Sequence, residues 1–190
     1  WTPFGYIDLD AEAFQALDAT LQQRIISALI RFLGGQVYPP KRHRVDALMQ
    51  RCQSLNHGAA TLGGCLVRWR GAQLLLGREM ASLCAQLSHI VSQAGKRLWD
   101  ARFLVNLTPS QAQQGVFVAP LGKAGLSAVK AQGATVNKQV PASYLHVLPA
   151  FFKGDEFLSC PVLQPESEFS ATLAFEKTQF EAIFQLSADW

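Results

Sequence analysis

The side chains of this 190-residue chain with the chemistry to ligate, attack or transfer protons are few, and their spacing decides what they can do together. Cys52, Cys65, Cys84 and Cys160 stand 13, 19 and 76 positions apart. No pair has the two-residue separation that presents two thiolates to one zinc, and no histidine stands at finger spacing from them, so no metal site is expected. Each sits among apolar residues, which predicts small buried hydrophobes in a reducing cytoplasm. His43, His57, His89 and His146 are the candidate bases, with Asp46, Asp100 and Asp155 as candidate orienting carboxylates. A self-standing hydrolase built on them would need a nucleophile elbow or a paired metal-binding helix, and neither motif occurs. Asn106-Leu107-Thr108 is a glycosylation triplet, which means little inside a cell.

The charges carry more information than the nucleophiles. All ten arginines lie between Arg24 and Arg102. From Lys41 to Arg78 there are seven basic residues (Lys41, Arg42, Arg44, Arg51, Arg68, Arg70 and Arg78) against Asp46 alone, a local net charge of +6 in a chain whose total is +3. Residues 111 to 190 hold five lysines and seven acids. A concentrated positive field attracts polyanions and makes their binding salt-dependent, although a solvated basic face reads the same way in composition. Lys41-Arg42-His43-Arg44 opens a predicted helix, where positive charge opposes the macrodipole by about 0.3–1 kcal/mol per group. A phosphate there would meet amide N–H groups and guanidiniums together; a solvated turn with Asp46 as counter-ion is the other reading.

The elements that must position these groups follow from periodicity. Residues 11 to 33 read as two helical stretches, the longer running from Asp18 or Thr20 to Leu33. Leu21, Ile25, Leu29 and Phe32 form its stripe, Ile26 and Leu33 widen it, and Gly34-Gly35 stop it. After Tyr38-Pro39-Pro40, residues Val45, Leu48, Met49 and Cys52 give the i, i+3, i+4, i+7 pattern of a second helix. Gly64 to Glu79 reads as a hairpin about a type II′ turn at Gly71-Ala72, with Trp69 facing Leu74, Val67 facing Leu76, and Arg68 and Arg70 on the other side. Leu83, Leu87, Ile90, Val91 and Ala94 suggest a connector helix. Beyond it come short strands at Leu98–Leu107 and Val116–Pro120, a helix near Gly125–Lys130 and a helical turn after Pro141. A hairpin about Lys153–Glu156 and an alternating strand from Phe169 through Phe175 to Glu176 complete the pattern. The expected fold is α+β: a helical pair with a hairpin over 1–80, a connector over 81–96, and a small mixed domain over 97–190. No run of about 18 apolar residues predicts a membrane span, and the first residues lack the pattern of an export signal.

Several strings, in order, carry a family resemblance: Phe4–Asp10 (FGYIDLD), QVYPPKR from Gln36 and TLGGCLVRWRGAQLLLGRE from Thr61. LWDARF from Leu98, VAPLG from Val118 and VPASYLHVLPAFFKGDEFLSCPVL from Val140 continue the series. Together they resemble the C-terminal half of the bacterial tRNA(Ile)-lysidine synthetase family. That resemblance implies a cytoplasmic enzyme that activates the wobble cytidine of tRNA(Ile) with ATP and Mg and joins lysine to it. The family's S-G-G-x-D-S phosphate loop is absent from this sequence. The resemblance therefore implies a part without the catalytic domain, holding no cofactor and inactive alone with ATP, lysine and tRNA. Its partners would be tRNA(Ile) and the N-terminal catalytic domain of the same protein, with no membrane and with a homodimer left open. Lys41, Arg42, Arg44, Arg51, Arg68, Arg70, Lys123, Lys130 and Lys138 would be the phosphate contacts. Where the family usually has an arginine before the next proline, this chain has Leu145, which puts a tRNA contact there in doubt. A protein-interaction module without RNA binding is the rival reading.

Overall fold

The computed structural model of the chain describes residues 1–85 and 91–174. The chain divides into two units, Trp1–Thr2 with Tyr6–Glu79, and Pro3–Gly5 with Met80–Ala174. Helices and three antiparallel sheets make it an α+β protein, as the sequence pattern predicts.

In the first unit, strand β1 (Ile7–Asp10) leads into helices α1 (Ala11–Gln15), α2 (Ala19–Leu33) and α3 (Arg42–Ser54), followed by strands β2 (His57–Leu62), β3 (Cys65–Arg70) and β4 (Gln73–Arg78). Asp10 and Asp18 start α1 and α2 by accepting backbone N–H bonds, whereas α3 begins at Lys41 with no side-chain cap. The strands form one sheet in the order β1-β4-β3-β2. Its register pairs Arg70 with Gln73, Trp69 with Leu74, Arg68 with Leu75 and Val67 with Leu76, the predicted hairpin pairing. Gly71 has φ +55° with open space around it, so this turn needs glycine for its backbone conformation.

One face of the sheet is apolar. Ile7, Val67, Trp69, Leu74 and Leu76 form a buried cluster with Ile26, Leu29, Ile30 and Leu33 of α2 and Val45 and Leu48 of α3. The stripe of α2 differs from the expected one: Gln22, Ile26, Leu29, Ile30 and Leu33 are buried while Leu21 is 39% exposed. Gln22 turns inward because its amide donates to the carbonyls of Gln15 and Leu17, closing the α1–α2 turn, and this rotates the buried arc by about one residue. Arg78 departs from the basic stretch altogether. It is 1% exposed and donates to the carbonyls of Gly34 at 2.8 Å and Gly64 at 3.3 Å. There the α2 terminus meets the β2–β3 turn so closely that a Cβ on Gly34 would overlap the Gly63 oxygen.

The second unit begins with α4 (Met80–Cys84). The connector expected to continue as helix does not do so on its described side: Val91 bridges Val118 in the antiparallel sense, and β5 (Gly95–Trp99) starts four residues on. Leu87, Ile90 and His89 lie outside the described residues. Strand β6 (Phe103–Leu107), α5 (Pro109–Gln113), β7 (Val116–Pro120) and α6 (Gly122–Ala131) follow. Then come α7 (Ala142–Leu145), β8 (Pro149–Lys153), β9 (Glu156–Ser159) and β10 (Ser170–Leu173). They make two three-stranded sheets, β10-β6-β5 and β7-β8-β9. The last strand is half-buried as expected, and Phe175 and Glu176 fall outside the described residues.

Phe103, Val105 and Leu107 of β6 face the core, and Arg102, just before the strand, is buried as well. It is 1% exposed and ion-paired to Asp100 at 2.6 Å, and it donates to the carbonyls of Gly5 and Val147. The reversal of backbone direction at the turn before β6 takes Arg102 out of the strand alternation. Asp100 and Ala101 adopt φ +47° and +52° there.

Candidate nucleic-acid interface

All nine predicted contact residues stand on the surface: Lys41, Arg42, Arg44, Arg51, Arg68, Arg70, Lys123, Lys130 and Lys138 are exposed. The fold distributes those of the first unit over two sides. Arg42, Arg44 and Arg51 belong to α3, which covers the apolar face of the sheet. At 100° per residue, Arg44 and Arg51 share one edge of that helix, and Arg42 falls on the other. Arg42 approaches Asp46 at 4.0 Å with side chains 79% and 54% exposed, a geometry that contributes little. Arg68 and Arg70 project from the opposite sheet face, because successive strand residues alternate sides. The basic stretch read as one surface in sequence is therefore two, and Arg78 belongs to neither.

The outer sheet face is electrically polar. Register places Asp10, Gln73, Arg70 and His57 in one row across the strands, and Asp8, Leu75, Arg68 and Ala59 in the next. The acids thus lie on edge strand β1 and the bases near edge strand β2. Strands are about 4.8 Å apart, so the backbone of each arginine is roughly 10 Å from that of the acid in its row, with β4 between them. Successive arginines two residues apart on β3 stand about 7 Å from one another and face the same way. Neighbouring phosphates of one strand suit that arrangement.

In the second unit, Lys123 and Lys130 are two turns apart on α6 and share a face. His146, the C-cap of α7, is near enough to both for their charges to act on it. Its imidazole is held below its ordinary pKa by partial burial and then by those lysines. Lys138 lies in the loop before α7. Leu145 is 2% exposed and packs in the core, so this chain offers no surface contact at that position.

Among the described residues the candidate bases are not assembled for hydrolysis. Asp100 is consumed by Arg102, His57 is exposed on an edge strand, and His43 lies in the first turn of α3. Among the described residues no three histidines, cysteines or acids converge as a metal-binding group. Burial pushes the thiols of Cys52 and Cys160 up to about 11 and about 12, which keeps them protonated. A cavity of about 510 Å³ in the first unit is bounded by Phe14, Ile26, Met49, Cys52, Trp69 and Leu74, and Glu12 is the charged residue lining it. Without a cation it does not suit a phosphate. No helix among the described residues is long and apolar enough to cross a membrane.

Comparison with known proteins finds relatives at low identity. The chain is 25% identical over 179 residues to a tRNA(Ile)-lysidine synthase of Ruegeria pomeroyi, a match that takes in 94% of this chain and 39% of that protein. It is 27% identical over 120 residues to a tRNA(Ile)-lysidine synthase of a Wolbachia strain from Brugia malayi, covering 63% of this chain and 27% of the relative. The chain thus spans well under half the length of these curated relatives. No family model matches, and no solved structure matches. The resemblance carried by the sequence strings is a relationship to tRNA(Ile)-lysidine synthases.

Proposed function

We propose that this chain is the tRNA-gripping part of a lysidine-forming ligase, holding the phosphate backbone of tRNA(Ile) while a separate ATP-binding domain performs the chemistry. The observation that carries this reading is that the nine basic residues named from the sequence are all solvent-facing. They lie at the start of α3 and along it, on the outer face of β3, on α6 and, for Lys138, in the loop before α7. The names of the relatives support the choice of tRNA as the polyanion. Contacts of this kind position a nucleic acid without reading its bases, so binding by this chain is salt-sensitive and weakly selective.

Filter binding of tRNA(Ile) at several salt concentrations tests the reading. The logarithm of affinity should fall linearly with the logarithm of salt. Replacing Arg68 and Arg70 together by Ala, or Arg42 and Arg44 together by Ala, should flatten the slope by about one unit for each phosphate that is no longer neutralised. Absence of tRNA binding by the folded chain, with binding of a protein partner in its place, would return it to an interaction module.

A further inference from the structure

The α6 surface contains a basic group that sequence reasoning places among the candidate hydrolytic bases. Strands β7 and β8 pair through Ala119–Ala150 and Pro120–Pro149, and the ladder continues past their ends. The Leu121 N–H donates to the Leu148 carbonyl and the Gly122 N–H to the His146 carbonyl, each at 2.9 Å. This fixes the first residue of α6 against the end of α7. Lys123 follows Gly122 directly, and Lys130 lies on the same helix face about 10 Å further along the axis. His146 is half-buried beside them, whereas both lysines are exposed. No ion pair joins Lys123, Lys130 or His146 to a carboxylate of the described residues.

We propose that Lys123, Lys130 and His146 form one phosphodiester-binding site, with His146 as the residue that makes the grip on RNA respond to pH. The proposal rests on the tRNA-gripping reading and adds to it a binding residue and a regulation. Two cations so far apart reach beyond a single phosphate, so a stretch of RNA backbone fits the site better than a free phosphate ion. Lys123 and Lys130 are the charged groups acting on His146. In the free protein partial burial first, and then these two lysines, disfavour the imidazolium and hold its pKa below the ordinary value. A bound phosphodiester offsets their charge and draws a proton onto His146. The sign follows from linkage: the bound form has the higher pKa, so affinity rises as pH falls through the region between the bound and free values. Each unit by which the anion raises that pKa corresponds to roughly a tenfold gain in affinity on the acid side.

The test follows the His146 ring protons by NMR from about pH 5 to pH 8 in the 190-residue chain, alone, with inorganic phosphate and with tRNA, across the range where histidine titrates. His146 should titrate below its ordinary range when free and higher with tRNA, with a smaller displacement by inorganic phosphate at equal charge. Lys123→Gln and Lys130→Gln should each raise the free value and weaken tRNA binding. His146→Gln should abolish the acid-side gain in affinity, with the far-ultraviolet spectrum confirming an intact fold. A displacement by phosphate but not by tRNA would overturn RNA as the ligand. A His146 titration unmoved by either anion, while tRNA still binds with a salt-dependent slope, would overturn the site and leave the wider reading standing. Loss of tRNA binding altogether would remove that wider reading, and the phosphate titration would still decide whether the three groups form an anion site.

Discussion

Each unit buries one arginine to 1% exposure, Arg78 against backbone carbonyls and Arg102 against a carboxylate and backbone carbonyls. Arg78 donates to the carbonyls of Gly34 and Gly64, at a place where two stretches of backbone approach so closely that only hydrogen fits on Gly34. Arg102 is tied to a buried carboxylate, Asp100, before it reaches the carbonyls of Gly5 and Val147. Around Gly34 the backbone leaves no room for an added atom. The Asp100–Arg102 pair tolerates no missing partner. Both arginines are unavailable to RNA, so the positive letters of a sequence divide into those that bind the fold and those that face solvent.

The contrast is sharpest if Arg102 is replaced by Met. Asp100 is then left buried without its counter-charge, which should cost about 3–5 kcal/mol and lower the melting temperature of the second unit. Adding Asp100→Asn to that variant should recover much of the loss, because the uncompensated charge is gone; calorimetry on both variants checks it. A double variant as unstable as the single one would show that the carbonyl bonds, not the charge, hold this turn. In the first unit, Gly34→Ala keeps every charge and should still cost about 1–3 kcal/mol, as overpacking does, because the clash is with backbone and no rotamer relieves it. Chemical denaturation that found this variant neutral would break the distinction drawn between the two arginines. A smaller effect of opposite sign is expected at Ala101, whose φ of +52° suits glycine: Ala101→Gly should raise stability by up to about 1 kcal/mol in the same measurement. The smallest effect concerns the thiols. At about pH 8, below the raised values near 11 and 12, Cys52 and Cys160 stay neutral, so exposed Cys84 should be alkylated first; mass mapping after iodoacetamide gives the order.

How much of this is legible in the sequence varies with the kind of signal. The Arg68–Leu75 pairing is readable because a two-residue turn beginning with glycine fixes a register, and a period of two then assigns every side chain. The α2 stripe is not, since Ile25-Ile26 and Leu29-Ile30 make the apolar arc too wide to locate its centre, and Gln22 reads as a polar surface residue until its two carbonyl partners are known. Strand β2 reads HGAATL, whose small residues give almost no contrast between faces. Strand β1 has four residues, and its partner lies more than sixty positions away. Among the candidate phosphate-binding residues, exposure is foreseeable from charge alone. The separation of α3 from the β3 arginines requires the layer order, and the placing of His146 beside two lysines requires the ladder that continues beyond β7 and β8.

The sheet order β1-β4-β3-β2 also sets a timetable for synthesis. Strands β2, β3 and β4 are joined by short turns and can zip as soon as they emerge, whereas Ile7 and Leu9 must wait for Leu76 and Leu74 to leave the ribosome. Until then the first apolar strand has no edge to join. A nascent chain arrested before Gln73 would expose it to other chains or to chaperones, and the strand translated before the other three would be the last of this sheet to find its partner.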